Sequence, residues 1–414
     1  MKFSAKQKLA YRTSTKRYNV LSGAMTSGKT FVANLIFPLH ILGKHGTPPP
    51  DKDFIILGKT QGTVRQNIVN PMLETMGALA ELKREDGLTY IYFANGRRAW
   101  CTGADNEKAY TKILGKQFAG AYIDEVVELD KQAVSQTSGR VVEGGRVYFT
   151  TNPSSPYHWF FEAYVEKSET DSQINYIPFG LTDNPTLSPE QIAELESRYV
   201  GLFHKRYIEG IWVAAEGVIY DMFDPARHVI DFPAGQVIES NCFLDYGIGN
   251  PFVVMNIVKM ENGDIYALSE YSYDGGVVGR QKTDEEYVSD IRDYYKREGL
   301  AKHTPLICDP SITRRFRAAL AKAGFTVKFA NNTVLDGIRE VQSLLHRDKF
   351  GLVKGKCRGA ELEFTSYCWD RRVQICKGED APLKINDHRM DVIRYAANHY
   401  SRKPRKARHS GSAV

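Results

Sequence analysis

The loop at residues 23–30 constrains the fold more than any other part of the sequence. It reads Gly-Ala-Met-Thr-Ser-Gly-Lys-Thr, follows the β-prone stretch 16–22 and precedes an apolar stretch, 30–37, with helical spacing. A glycine-rich loop between a strand and a helix holds nucleotide phosphates, because its backbone N–H groups close around an anion at the helix N-terminus. The pattern therefore predicts an α/β fold of the P-loop NTPase type, with a mostly parallel sheet and helices on both faces.

Each residue of this loop has an expected part in nucleotide binding. Lys29 would reach the β- and γ-phosphates of ATP, and the Thr30 hydroxyl would ligate Mg²⁺. The rest of the loop would surround the phosphates with its backbone, and comprises Gly23, Ala24, Met25, Thr26, Ser27 and Gly28. ATP and Mg²⁺ are therefore the cofactors predicted for this half of the chain.

A second phosphate motif follows about a hundred residues later. Residues 118–123 are mostly apolar or small and lead into Asp124 and Glu125, as expected of a buried strand whose carboxyl end opens at a site. Asp124 would hold Mg²⁺, and Glu125 would polarise the attacking water. The alternative is a pair of acids at a helix N-terminus, where carboxylates are favoured electrostatically.

Two amide side chains add to the predicted nucleotide site. Asn152 ends the strand-like run 146–152, where it would sense the γ-phosphate, and Pro153 ends the strand. Gln7 precedes the loop, where its amide could read the adenine edge; a surface glutamine is the alternative. The arginine that would stabilise transition-state charge stays open among Arg65, Arg97, Arg98, Arg140 and Arg146.

The pattern changes to strands after residue 235. Asp245 lies in the first of three strand-like runs, and Glu261-Asn-Gly-Asp, a hairpin signal, joins the second to the third. A helix-like stretch then leads to a fourth strand that ends at Asp309. Three antiparallel strands, a helix and a fourth strand resemble the ribonuclease-H-like fold, which has a mixed sheet.

Four side chains of this half form a candidate divalent-metal site. His388 and Asp391 lie three residues apart, hence on one helix face, where they could meet a metal held by Asp245 and Asp309. Hard oxygen ligands with one imidazole suit Mg²⁺ or Mn²⁺. Two ions about 4 Å apart would activate water for phosphodiester hydrolysis, with the three aspartates as the catalytic acids.

Local roles are the alternatives for single acids in this half. Asp309 precedes Pro310 and could cap a turn, and Asp387 could cap the helix that carries Asp391. Glu270 could be a further carboxylate of the site or part of a surface ion pair.

Composition excludes some classes of protein. The six cysteines are scattered without C-x-x-C spacing, which argues against a zinc site or a disulfide framework. No run approaches the roughly 20 apolar residues of a membrane span, and the N-terminus lacks the apolar segment of a signal peptide. The net charge of +6 is modest, but basic residues crowd positions 402–408 in a stretch that we expect to be a disordered tail.

The motifs together resemble one family. Residues 23–30, Tyr122-Ile-Asp-Glu and Phe149-Thr-Thr-Asn-Pro, followed by Phe243-Leu-Asp-Tyr-Gly, Ile307-Cys-Asp-Pro and the acids near residue 390, are similar to the ATPase and nuclease motifs of the large terminase subunit of tailed bacteriophages. Many relatives carry an arginine in the loop where this chain has Met25 or Thr26, which leaves the identity of any arginine finger open.

The resemblance extends over residues 3–400 and implies an organisation. We expect a P-loop ATPase domain at 1–182, a helical linker at 183–235, a ribonuclease-H-like nuclease at 236–400 and the basic tail at 401–414. The family would hydrolyse ATP to translocate viral double-stranded DNA into a procapsid and cleave concatemeric DNA. A cellular helicase-nuclease or a resolvase-like repair enzyme is the alternative.

Partners follow from the resemblance alone. It implies the portal protein of a procapsid, a small DNA-recognising terminase subunit and a homo-oligomeric ring, a pentamer when assembled. It also implies the host cell cytoplasm as the location, with transient docking on the procapsid. No membrane partner is expected.

Overall fold

The chain folds into two compact units. The computed structural model describes residues 3–105, 115–246, 251–385 and 387–401, so all of the predicted tail except its first residue lies outside the described residues. The first unit comprises Met1–Ala215 and Arg372–Glu379, and the second comprises Glu216–Arg371 and Asp380–Val414.

The first unit is an α/β unit. Its strands are β1 (Tyr18–Gly23), β2 (Asp53–Gly58), β3 (Ala80–Glu85), β4 (Leu88–Phe93), β5 (Arg98–Gly103), β6 (Phe118–Ile123), β7 (Val141–Thr151) and β8 (Ile174–Phe179). Its α-helices include α1 (Ala5–Thr13), α2 (Lys29–Ile41), α3 (Gln61–Val64), α4 (Asn70–Met76), α5 (Lys131–Gly139), α6 (Pro189–Arg198) and α7 (Gly201–Tyr207). π turns span Arg65–Val69 and Phe161–Val165, and 3₁₀ turns span Gly77–Leu79, Val126–Glu128, Glu166–Glu169 and Leu181–Asp183.

One eight-stranded sheet forms the centre of this unit. The strand order is β3-β4-β5-β2-β6-β7-β1-β8. In this order, each pair of neighbours from β5 onward is parallel, whereas β4 pairs antiparallel with both β3 and β5. The predicted mostly parallel sheet is therefore confirmed, with an antiparallel extension at one edge.

Helices cover both faces of this sheet. Adjacent strand residues point to opposite faces, and Leu21 belongs to one apolar cluster whereas Val20 belongs to another. Ile36 of α2 lies in the first cluster and Val134 of α5 in the second. Burial on both faces explains why the strands read as continuous apolar runs rather than alternating ones.

The predicted linker at 183–235 is divided between the two units. Helix α6 begins with a proline at its first position, after Ser188, whose side chain accepts a hydrogen bond from the Gln191 backbone amide. Residues up to Ala215 group with the first unit. A physical reason is that the Tyr207 carbonyl accepts a hydrogen bond from the Met25 amide in the loop after β1.

The second unit has a mixed sheet. Its strands are β9 (Val229–Ile230), β10 (Val237–Asp245), β11 (Phe252–Met260), β12 (Ile265–Tyr273), β13 (Leu306–Cys308), β14 (Val327–Phe329) and β15 (Phe350–Val353). The remaining helices are α8 (Pro225–His228), α9 (Gly275–Val278), α10 (Asp284–Arg297), α11 (Arg314–Lys322), α12 (Val334–His346), α13 (Arg358–Ser366), α14 (Arg371–Lys377) and α15 (His388–Tyr400). Of these, α14 belongs to the first unit except for its first residue.

The strand order in this sheet is β14-β13-β10-β11-β12-β15-β9. β10, β11 and β12 pair antiparallel, and β13 joins β10 in parallel after helix α10. The predicted succession of three antiparallel strands, a helix and a fourth strand is observed. Helix α15 lies against β10 and β11, because the Tyr400 hydroxyl donates to the Ile257 carbonyl and accepts from the Asn241 amide.

No helix in the described part of the chain is long and apolar enough to span a bilayer.

Candidate functional sites

The loop after β1 is held open by backbone contacts. The Ala24 amide donates to the Phe179 carbonyl at 2.9 Å, and the Met25 amide donates to the Tyr207 carbonyl at 2.8 Å. Gly28, at φ 87°, precedes helix α2 in the left-handed region that glycine adopts without strain. A Cβ atom at Gly23 would lie 2.0 Å from the Phe179 carbonyl oxygen, so only glycine fits where β1 approaches β8.

A pocket of about 240 Å³ opens over this loop. It is lined by Thr26, Ser27, Gly28, Lys29, Thr30, Phe31 and Asn184. The buried Ser27 hydroxyl has no hydrogen-bond partner among the described residues. Backbone amides at a helix N-terminus with an unpaired hydroxyl suit a phosphate group, and Thr30 also lines the pocket. The loop therefore fits a nucleotide.

The side chain of Lys29 is buried beside this pocket. Its side chain is 7% exposed, and Nζ donates to the Ala24 carbonyl at 3.0 Å and to Asn152 Oδ1 at 2.6 Å. Burial lowers the pKa of Lys29 to about 8, against the opposing effect of Asp124 and Glu125. The ammonium is thus held in a poorly solvated place, where an anionic phosphate would stabilise its charge.

Asp124 and Glu125 follow β6 directly. Asp124 is 4% exposed, and its Oδ1 accepts a short hydrogen bond from the Thr150 hydroxyl. Burial raises the pKa of Asp124, while Thr150 and Lys29 oppose the shift. Burial and the neighbouring Asp124 raise the pKa of Glu125. Glu125 precedes a 3₁₀ turn but makes no side-chain capping bond, so helix capping does not account for its place.

Sheet topology brings these residues together. β6, β7 and β1 are consecutive parallel strands, so their carboxyl ends lie at one edge of the sheet. That edge carries Gly23, Asp124 and Asn152, and the Lys29–Asn152 hydrogen bond joins the first and third motifs.

Gln7 is not a surface residue. It is 2% exposed, and its Oε1 accepts from the Ser4 amide at 3.1 Å to cap helix α1. A Cβ atom added at Gly28 would lie 2.6 Å from Gln7 Nε2, so the amide borders the loop. The surface alternative is wrong, and recognition of adenine stays a prediction.

Two residues at this site were missed by sequence reasoning. The side chain of Asn67, in the π turn Arg65–Val69, acts against the rise in the pKa of Asp124. No sequence pattern indicated Asn67. The contact between Thr150 and Asp124 follows from the register of β6 and β7, in which Ile123 pairs with Phe149.

The candidate arginine fingers differ in their contacts. Arg97 donates to the carbonyls of residues 49 and 52, and Arg146 donates to that of residue 45. Arg98 pairs with a glutamate at position 85. Arg65 and Arg140 are exposed, and which arginine reaches a phosphate stays open.

The second candidate site lies at one edge of the mixed sheet. Asp245 ends β10, Asp309 directly follows β13, and these parallel strands are neighbours with Leu244 beside Cys308. His388 and Asp391 lie on α15, and His388 Nδ1 is 2.8 Å from Asp245 Oδ2.

The pairing of β10 with β13 and the contact of His388 with Asp245 place the three aspartates in one part of this unit, where they also shift the pKa values of neighbouring groups. Burial raises the pKa of Asp245, the hydrogen bond with His388 opposes the shift, and the charge of Asp391 adds to it. Burial raises the pKa of Tyr395, and Asp245, Asp391 and Asp309 all raise it further. The Tyr395 hydroxyl donates to Asp309 Oδ2 at 3.1 Å.

The pKa of Asp309 moves the other way. Burial would raise it, but hydrogen bonds from Ser311, Asn332 and Tyr395 hold the pKa of Asp309 below its usual value. The bond from the Ser311 amide, at 2.7 Å, is the turn cap that was the alternative role of this residue. Turn capping and proximity to the other acids are therefore both present.

The donor chemistry suits a hard cation, but the described arrangement is not a formed metal site. Within residues 3–105, 115–246, 251–385 and 387–401, no group of three or more His, Cys, Asp or Glu is arranged to hold a metal ion. Asp391 Oδ1 accepts from Arg394, and its Oδ2 lies 3.4 Å from Lys384 Nζ. Protein cations therefore stand beside the oxygens that a metal would need.

Two neighbouring acids have structural contacts. Asp387 makes no capping bond at the start of α15, and its Oδ2 lies 2.9 Å from Lys384 Nζ. Glu270 accepts hydrogen bonds from the Gly359 and Ala360 amides at the start of α13, and also pairs with Arg389. With 12% of its side chain exposed, Glu270 forms a largely buried ion pair rather than a surface one.

Comparisons with known proteins identify the family. Residues 20–227 match the family model described as terminase large subunit, T4likevirus-type, N-terminal. The large terminase of a thermophilic bacteriophage is 33% identical, with 96% of this chain and 99% of that chain covered and a TM-score of 0.84. Complexes of the same phage terminase with ADP and with ATP-γ-S, 33% and 32% identical with the same coverage, both give a TM-score of 0.81. No curated protein sequence matched significantly. A family match over half of the chain and a full-length relative at this identity show that the chain belongs to the large terminase subunit family.

Proposed function

We propose that this chain hydrolyses ATP to translocate viral double-stranded DNA into a procapsid and that its second unit cleaves concatemeric DNA. The observation that carries the first part is the buried Lys29 ammonium, hydrogen-bonded to Asn152 at the edge that also holds Asp124. Family membership supports a role in DNA packaging, and the relative from the thermophilic bacteriophage has been solved with ADP and ATP-γ-S.

The ATPase step follows from the contacts of this edge. ATP phosphates would replace Asn152 as the partner of Lys29, which relieves the cost of the buried ammonium. Thr30 and Asp124 would hold Mg²⁺, which neutralises phosphate charge when bound. The raised pKa of Glu125 suits a group that orients and accepts a proton from the attacking water.

Asn152 is the coupling element in this proposal. In the described geometry its Oδ1 is 2.6 Å from Lys29 Nζ. A γ-phosphate that takes this ammonium frees the Asn152 side chain, and loss of the phosphate lets the contact re-form. The state of the nucleotide thereby reaches the end of β7 and the segment that follows it.

For the second unit we propose hydrolysis of phosphodiesters with Mg²⁺ or Mn²⁺ at Asp245, Asp309 and Asp391, with His388 beside them. Support comes from the neighbouring strand ends that carry Asp245 and Asp309 and from the contact of His388 with Asp245. In this arrangement Lys384 and Arg394 both contact Asp391.

The remaining partners are part of the same proposal. They are the portal protein, a small terminase subunit and further copies of the chain in a pentameric ring, in the host cytoplasm. Family membership supports packaging partners in general.

Two variants of the full-length chain test both activities. Glu125→Gln should abolish ATP hydrolysis and leave metal-dependent plasmid cutting intact, whereas Asp245→Asn should do the reverse. Exposed carboxylates provide matched controls, Glu143→Gln in the first unit and Asp221→Asn in the second, and both should retain both activities. Undiminished ATP hydrolysis by the first variant, or undiminished cutting by Asp245→Asn, would refute the corresponding half of the proposal.

A further inference from the structure

The side chain of Lys384 lies between two acids of the second candidate site. Its Nζ is 2.9 Å from Asp387 Oδ2 and 3.4 Å from Asp391 Oδ2. Only 6% and 14% of these acidic side chains are exposed, whereas 61% of the Lys384 side chain is exposed. The ammonium therefore reaches in from solvent to neutralise carboxylates that are largely buried.

A second cation occupies the other side of Asp391. Arg394, one turn later on α15, donates to Asp391 Oδ1, and 1% of its side chain is exposed. Both carboxylate oxygens of Asp391 thus face a positive group of the chain. A divalent cation needs the same oxygens, and like charges a few ångströms apart repel.

The two cations differ in how readily they can leave. Arg394 is buried and held by a helix, whereas an exposed lysine is a flexible, strongly hydrated point charge. The backbone before Lys384 is anchored, since the Leu383 amide donates to the Cys368 carbonyl at 2.9 Å. Rotation of the Lys384 side chain alone would therefore uncover Asp391 Oδ2 without moving the anchored backbone that precedes Lys384.

We propose that Lys384 is an internal competitor of the divalent cation and sets the metal affinity of the nuclease site. The inference rests on the proposed nuclease function. The contacts of Lys384 Nζ with Asp387 and Asp391, beside the predicted metal ligands, carry it.

The test measures the affinity of the full-length chain for Mn²⁺ in the absence of nucleotide and DNA. Electron paramagnetic resonance detects the free ion. The comparison concerns only the Mn²⁺ binding that the Asp391→Asn variant loses. Lys384→Gln should tighten it about three- to tenfold, the range expected when one partly screened charge near the site is removed. Lys384→Arg should stay close to the wild type, as should Lys322→Gln, which removes an exposed charge from α11.

The outcomes separate this inference from the proposed function. Equal affinity in the wild type and Lys384→Gln, with binding that still depends on Asp391, would overturn the role of Lys384 alone. Absence of Asp391-dependent binding in both proteins would overturn the metal-dependent nuclease as well. Binding that appears only in Lys384→Gln would support the inference, and unchanged thermal unfolding would show that this exposed substitution leaves the fold intact.

Discussion

Burial of Lys29 predicts that this lysine destabilises the folded protein in the absence of nucleotide. Its pKa is lowered from 10.5 to about 8 by burial, in a side chain that is 7% exposed. The difference, 10.5 − 8, is 2.5 pH units, and at about 1.36 kcal/mol per unit this corresponds to about 3 kcal/mol. That free energy is the cost of keeping the ammonium charged in the folded state.

The pH dependence has a defined direction. Because the folded pKa lies below the unfolded one, the cost is fully present below pH 8 and disappears as the pH rises through about 8 to 10.5. The wild type should therefore gain up to about 3 kcal/mol of unfolding free energy relative to Lys29→Met across this window. Loss of the hydrogen bonds to Ala24 and Asn152 shifts the variant by an amount that changes little with pH.

Denaturant unfolding of both proteins from pH 7 to 10.5, without nucleotide or divalent cation, measures this difference. Lys131→Met, at an exposed position of α5, controls for the loss of an ordinary lysine and should show no such trend. A difference between wild type and Lys29→Met that stays constant within about 0.5 kcal/mol would mean that Lys29 titrates as an exposed lysine does. Burial would then not lower the pKa of Lys29 in the folded protein.

Three further predictions concern contacts within one unit or the other. Thr150→Val removes a charge-assisted hydrogen bond to Asp124. The steady-state rate of ATP hydrolysis should therefore fall roughly tenfold while nucleotide binding persists; an unchanged rate would contradict this. Arg389→Met leaves the Glu363 carboxylate, 7% exposed, without its cation. Denaturant unfolding should therefore show that the free energy of unfolding falls by about 3–5 kcal/mol; a fall of less than about 1 kcal/mol would contradict this. Gly23→Ala places a Cβ atom 2.0 Å from a carbonyl oxygen of β8 and should cost about 1–3 kcal/mol, seen as a lower Tm; an unaltered Tm would show that β1 and β8 can separate freely.

Much of the fold was predictable because its signals are local. A glycine loop between a strand and a helix, together with apolar runs that end in polar residues, predicts the parallel sheet and its functional edge. The Glu261-Asn-Gly-Asp hairpin between β11 and β12 was equally readable, since turn residues carry their own backbone preferences. Patterns of this kind report backbone conformation, and the structure agrees with them.

Contacts between distant segments were not predictable. Gln7 was assigned to adenine or to the surface, whereas its amide caps α1 and also borders Gly28. Asn67 lies in a π turn with no sequence signature, and its side chain acts against the rise in the pKa of Asp124. Such contacts depend on the angles at which helices and strands pack, which residue periodicity does not specify.

The acidic residues of the second unit show the same division. Sequence patterns placed Asp245 within a strand, Asp309 at the end of another strand and Asp391 on a helix; the structure agrees, with Asp245 as the last residue of β10. The patterns did not indicate that Lys384 and Arg394 would take the oxygens of Asp391. Charge neutralisation of a buried carboxylate is settled by whichever cation the tertiary fold brings within a few ångströms.

By itself, the sequence determined the order of strands and helices, the phosphate loop and the identities of the acids, because these depend on neighbours along the chain. Only the tertiary structure decided that Lys29 would be buried against Asn152, that Thr150 would hold Asp124, and that a lysine would stand where a metal is expected. Burial and distance set the charge state of each of these groups, and both arise from segments far apart in sequence.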